Sequence, residues 1–170
     1  LKKIDVNGGP TQTIADAPDG RGGTWSTAGV IVFSPNYSTP LFRIPESGGV
    51  PTAVTVLDTA QREDTHRFPY FLPDGEHFIY FSRSTSNDKT GVYYGSVDGK
   101  KGSRLFISKS SVVYAAPGYL LFLMEKALMA QPFDEGNGTL KGDAFPIAQD
   151  IANNTKGNSF ISSSENGVLC

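Results

Sequence analysis

The sequence is poor in the residues that most often carry chemistry by themselves. Of its 170 residues one is cysteine, at the last position, and two are histidine. A lone Cys170 excludes a disulfide within the chain and a metal site built on several thiolates. Two histidines and one cysteine also argue against zinc held by nitrogen and sulfur. Long apolar runs are missing. The longest, Tyr119 to Met124, is too short to cross a bilayer and suits a buried strand, so no membrane insertion is expected. No charged stretch followed by an apolar one marks a secretory leader. Positive charge is not in surplus, with 15 Lys and Arg against 17 Asp and Glu. With no basic stripe interleaved with aromatics, nucleic acid is not an expected partner. There is no Gly-x-Ser-x-Gly elbow, and Gly20-Arg21-Gly22-Gly23 lacks the Lys-Ser/Thr of a phosphate loop.

What the sequence does have is turn chemistry, 19 glycines and 11 prolines, and a repeat. Short apolar runs recur at Gly29 to Phe33, His77 to Phe81, Gly118 to Phe122 and Gly167 to Leu169. Rich in β-branched and aromatic residues, they read as strands buried on both faces. A second strand follows the first three runs: Leu41 to Ile44, Val92 to Tyr94 and Leu128 to Gln131, each before a glycine-bearing turn. The chain opens with the same type, Leu1 to Val6. More polar strands follow these turns at Pro10 to Ile14, Pro51 to Thr55, Ser103 to Ile107 and Phe145 to Ala148, as suits a sheet edge. A further strand precedes each apolar run, at Gly23 to Ser26, His66 to Phe71, Val112 to Ala115 and Ser159 to Ser162. Between it and the next strand lies a tight turn, clearest at Leu72-Pro73-Asp74-Gly75.

Four strand types in fixed order, with the closing phenylalanines at 33, 81 and 122, match the period of roughly 40–45 residues of a propeller blade. The fold class expected is therefore all-β, a β-propeller fragment of four-stranded antiparallel blades. Whole blades are expected at about 19–58, 59–109 and 110–151, with remnants at 1–18 and 152–170. A β-sandwich with coincidental spacing is the alternative. The two remnants are complementary, third and fourth strands at one end and first and second at the other. Since an open array exposes strand edges, a homodimer or other closed assembly is expected.

His66-Arg67-Phe68-Pro69-Tyr70-Phe71-Leu72-Pro73-Asp74-Gly75, followed by His77 to Phe81, resembles a TolB-like (WD40-like, PD40) repeat. It is similar in particular to the propeller regions that follow the kinase domain of acidobacterial-type serine/threonine kinases. Gly91-Val92-Tyr93, Ala116 to Phe122 and Leu128 to Asp134 carry the same resemblance. The kinase signatures themselves are absent. The resemblance implies a bacterial parent of sensor type with an extracytoplasmic propeller, and hence a ligand- or protein-binding module.

Propeller sites sit where loops enter the innermost strands. The densest such loop is Arg62-Glu63-Asp64-Thr65-His66-Arg67. His66, expected to begin the innermost strand and face the channel mouth, is the candidate general base. Glu63 and Asp64, with Asn153 and Asn154 from another loop, are candidate oxygen ligands for calcium. Arg62 and Arg67 are candidate ligand-binding residues. Together they define the alternative function, a calcium-dependent hydrolase or lactonase acting, for example, on acyl-homoserine lactones. That reading rests on analogy of fold. The competing role for His66 and Arg67 is structural, hydrogen-bonding the next turn and holding blades together, with Arg67 paired to Asp64 or Asp74. Trp25, Phe68, Tyr70 and Tyr114 are expected at blade-to-blade contacts, with a ligand platform as the other use.

Overall fold

Each apolar run that the structure describes becomes the second strand of an antiparallel sheet. The computed structural model describes residues 1–151 and 161–164. Strands β1 (Lys2–Lys3) and β2 (Gln12–Thr13) form a hairpin. Strands β3 (Gly23–Trp25), β4 (Val30–Phe33), β5 (Phe42–Pro45) and β6 (Thr52–Ala53) form the first four-stranded sheet, in chain order. Strands β7 (Glu63–Phe71), β8 (His77–Ser84), β9 (Gly91–Ser96) and β10 (Ser103–Ile107) form the second. In the third, β11 (Val112–Ala115), β12 (Tyr119–Met124) and β13 (Ala127–Asp134) run in order. The outer edge of β13 is shared by β14 (Thr139–Leu140) and β15 (Phe145–Ala148). Strand β7 lies beside both β3 and β11, so the first strands of successive sheets are neighbours. This is an incomplete β-propeller built of four-stranded antiparallel blades. Of the strands expected after residue 151, only Ile161 and Ser162 fall within the described residues.

Among the described residues the one helical element is a 3-10 turn, Thr59–Gln61, capped by Asp58, whose carboxylate accepts from the Ala60 and Gln61 amides. No helix there is long and apolar enough to cross a membrane.

The core forms between sheets because the second strands present apolar side chains on both faces. Phe78 and Tyr80 of β8 join Val32, Leu41, Val54 and Phe71 against the first sheet. Ile79, on the opposite face, joins Val92, Val112, Leu120 and Phe122 against the third. Strand β12 divides in the same way: Leu120 and Phe122 face the second sheet, while Leu121 and Leu123 pack with Leu128 and Ala130. Burying each such side chain contributes about 1.5–3 kcal/mol. Gly95 sits where a Cβ would stand 3.1 Å from the rings of Phe78 and Tyr80, so glycine there lets β9 close on the aromatics of β8.

The first two sheets are also sewn together by backbone bonds. Strand β7 carries register shifts between Glu63 and Thr65 and between Arg67 and Tyr70. Such bulges free amides from the ladder and turn them sideways. The His66 amide donates to the Thr39 carbonyl at 3.0 Å and the Phe68 amide to the Arg21 carbonyl at 2.8 Å. The Phe71 amide donates to Thr24 Oγ1 at 3.1 Å. Phe68 takes φ = 49°, a left-handed conformation costly for an aromatic residue, held by that bond to Arg21.

Candidate functional site

The bulged start of β7 places Glu63 and His66 on the side of the first sheet, where the segment after β6 runs past them. His66 is 1 % exposed. Its Nδ1 lies 2.8 Å from Thr55 Oγ1 and its Nε2 3.1 Å from Glu63 Oε2. Thr55 Oγ1 accepts from the Leu41 amide at 2.9 Å. The carboxylate can only accept, so the ring donates from Nε2 to Glu63, and Nδ1 shares a hydrogen bond with the Thr55 hydroxyl. Glu63 accepts also from the Asp58 amide (2.7 Å) and the Ser82 hydroxyl (2.9 Å). The Tyr80 ring lies 4.9 Å from that of His66. Burial by itself pushes the Glu63 carboxyl up. The hydrogen bonds from His66, the Asp58 amide and Ser82, with the His66 charge, outweigh it and hold the group at about 2. Burial, and the nearby Glu63 carboxylate, push the Tyr93 phenol up to about 12.

These positions correct two expectations. His66 does not begin the innermost strand or face a channel mouth, because the strand starts at Glu63 and the ring turns into the seam between two sheets. Arg67 pairs with neither Asp64 nor Asp74. It is buried, and it donates to the Tyr37 carbonyl at 3.2 Å and to Thr65 Oγ1 at 3.4 Å. Asp64 instead lies 3.6 Å from Arg83, and Asp74 lies 2.6 Å from His77. Arg62 is exposed at the end of the 3-10 turn with φ = 54°. Asn153 and Asn154 lie outside the described residues. Among those described, no group of three or more His, Cys, Asp or Glu is placed to hold a metal ion. Glu63, the expected first calcium ligand, already accepts three hydrogen bonds in this network. Among the described residues, Glu63 and Asp64 are thus not joined into a metal site.

A cavity of about 400 Å³ opens beside the cluster, lined by Thr55, Asp58, Glu63, Tyr80, Tyr93 and Lys101 among others. A second, of about 600 Å³, lies where the first strands of the three sheets converge. Trp25 of β3, Tyr70 and Phe71 of β7 and Tyr114 of β11 line it, together with Thr24 and Ser26. Trp25 is 51 % exposed, with its Nε1 donating to Glu46 at 3.0 Å. Tyr114 is fixed by its hydroxyl, which bonds to the Glu135 carboxylate and accepts from the Gly118 amide at 3.0 Å. Burial and Glu135 push that phenol up to about 12. The sequence marked three of these aromatics but not their convergence. A signal was present: each stands four or five residues before the glycine that closes the turn after its strand, Trp25 before Gly29, Tyr70 before Gly75, Tyr114 before Gly118.

Fold and site together define a β-propeller fragment with an aromatic cavity at the meeting of its inner strands. Among solved structures the chain is similar to TolB from Acinetobacter baumannii, with TM-score 0.63 and 16 % identity over 98 % of this chain and 40 % of that one. It is similar also to puromycin hydrolase, with TM-score 0.66 and 14 % identity over 99 % of this chain and 31 % of that one. The chain thus spans less than half the length of either. At such identity the likeness shows a TolB-like propeller fold. No protein-family model and no curated protein matches the sequence.

Proposed function

We propose that this chain is a recognition module that binds a small molecule or protein segment at the cavity between its inner strands and does not turn it over. The observation that carries this reading is the contrast in how the two polar regions use their hydrogen bonds. Glu63, His66 and Thr55 bond one another and nearby backbone, as a structural seam does. The Trp25 cavity is open, aromatic and concave, and its volume falls in the range of about 300–1,000 Å³ typical of small-molecule sites. The resemblance to propellers that follow bacterial kinase domains supports the same reading.

The test is protein-observed NMR with a mixed panel of uncharged aromatics, short peptides and saccharides. Saturable shifts at Trp25, Tyr70 and Tyr114, lost in Trp25→Ala, are the expected result. Binding that instead maps to Thr55, Tyr80 and Tyr93 would overturn the assignment of the site.

One observation favours a second, hydrolytic reading: Thr55, His66 and Glu63 form a hydroxyl–imidazole–carboxylate chain, and Thr55 and Glu63 line a cavity. Lactone or ester turnover abolished by both Thr55→Val and His66→Ala would establish it. A calcium requirement, seen as loss with EDTA, would restore the lactonase form. We propose also that the two-stranded β1–β2 sheet is completed by association, within the chain or with a second copy. Sedimentation across a concentration series would show a dimer if the second arrangement holds.

A further inference from the structure

We propose that the cavity beside Trp25 takes an uncharged saccharide, an inference that rests on the recognition reading and names its ligand class. The argument is the chemistry of the lining. Among the described lining residues there is no Asp, Glu, Lys, Arg or His. An anionic ligand would leave water with no cationic side chain to meet it, and for a cation the neighbouring carboxylates, Glu46 and Glu135, are already engaged by Trp25 and Tyr114. A wholly apolar ligand fails for the opposite reason. The Thr24 and Ser26 hydroxyls accept backbone bonds from Phe71 and Val30, so their protons remain to be donated elsewhere. The Tyr70 hydroxyl has no hydrogen-bond partner among the described residues. Covering these hydroxyls with hydrocarbon would strand them.

A pyranose meets both conditions. One face carries C–H bonds made electropositive by neighbouring oxygens, suited to the negative face of an indole or phenol ring. Its rim carries hydroxyls that both donate and accept, matching Thr24, Ser26 and Tyr70. The platform is preformed, since Trp25 is held at Nε1 by Glu46 and Tyr114 by Glu135 and Gly118. A fixed ring loses little freedom on binding.

Trp25 is the only tryptophan, so its emission reports this cavity alone. The whole chain is titrated with neutral mono- and oligosaccharides, the corresponding uronic acids, and uncharged tri- and tetrapeptides. Ligand-observed saturation-transfer NMR runs in parallel, so that variants without the reporter are also read. The expected result is a saturable change in Trp25 emission with a neutral saccharide, and saturation received by its ring C–H protons. Affinity should fall roughly tenfold or more in Trp25→Ala, recover in part in Trp25→Phe, and be weaker for the uronic acid. Response to peptides and to no saccharide overturns the saccharide class and leaves the recognition site standing. Saccharide binding unchanged in Trp25→Ala overturns the placement. No response to any of the three classes, from protein with a native-like amide spectrum, overturns both.

Discussion

Around His66 the ionisable groups spend their hydrogen bonds on one another, whereas around Trp25 the described lining holds no ionisable group except tyrosine. The two regions lie on opposite sides of β7's role. Its bulged beginning faces into the seam with the first sheet, and its far end opens with β3 and β11 onto a cavity. A dense run of charge in a sequence draws the eye as a catalytic signal. Here Glu63 accepts from a backbone amide, a serine and a histidine contributed by three separate segments. Such a buried carboxylate holds elements together because removing it leaves several donors without partners. The aromatics near Trp25 hold less and expose more, which suits a surface that must be free to bind.

That contrast can be broken first at Glu63. Glu63→Ala leaves the Asp58 amide, the Ser82 hydroxyl and His66 without their acceptor, and should cost about 3 kcal/mol. Urea denaturation reads the loss as a lower midpoint with an unchanged slope. A cost below about 1 kcal/mol would mean that the seam is held by the apolar contacts of Val54, Phe78 and Tyr80 instead.

The next effect is on pH. The Glu63 carboxyl sits at about 2 in the fold against an ordinary value of 4.5. Its folded value is depressed, so its contribution is fully present above about 4.5 and is lost as pH falls toward about 2. Asp74 and Asp134 are also held low, by their bonds to His77 and to Asn137 and Lys141 against the opposing effect of burial, and they add to acid sensitivity in any variant. The informative quantity is therefore the difference between the native chain and Glu63→Gln. The stability gap between them should narrow over that window, and a gap independent of pH would show that Glu63 is not ionised in the fold.

Tyr114→Phe comes third. It removes the bond to Glu135 and the acceptor for the Gly118 amide, and should cost about 1 kcal/mol, since both partners lie near solvent. Thermal unfolding would show it as a drop of a few degrees. If saccharide affinity falls with it while Trp25 emission in the free protein is unchanged, Tyr114 contributes its ring's position to the cavity rather than to the sheet alone.

The fold was legible because its main signal is local. Runs such as Phe78 to Phe81 and Leu120 to Leu123 are apolar at every position, which only a strand covered on both faces requires, and glycine-bearing turns punctuate them at propeller spacing. The site was less legible because its contacts are not local. Nothing near His66 in sequence announces Thr55, which arrives from the end of the first sheet through a register that two bulges in β7 decide. The same bulges explain why His66 turns into the seam when a regular strand beginning at that residue was expected. Trp25, Tyr70 and Tyr114 were visible as aromatics, but their meeting depends on three sheets placing their first strands side by side. Asn153 and Asn154, the other expected metal ligands, lie outside the described residues.

The smallest expected effect on stability belongs to the residue with the largest expected effect on binding. Trp25 is half exposed, and its one side-chain hydrogen bond, to Glu46, faces solvent. Trp25→Ala should therefore change stability by no more than about 0.5 kcal/mol, the range of surface substitutions. In a propeller whose sheets are held by Val32, Phe78, Ile79 and Leu120, an indole at the open end of β3 adds little. If the same variant loses ligand while Glu63→Gln keeps it, binding and cohesion are carried by separate parts of one strand neighbourhood. A large loss of stability in Trp25→Ala would contradict this, because it would make the tryptophan a packing residue between sheets and leave the cavity beside it a gap in that packing.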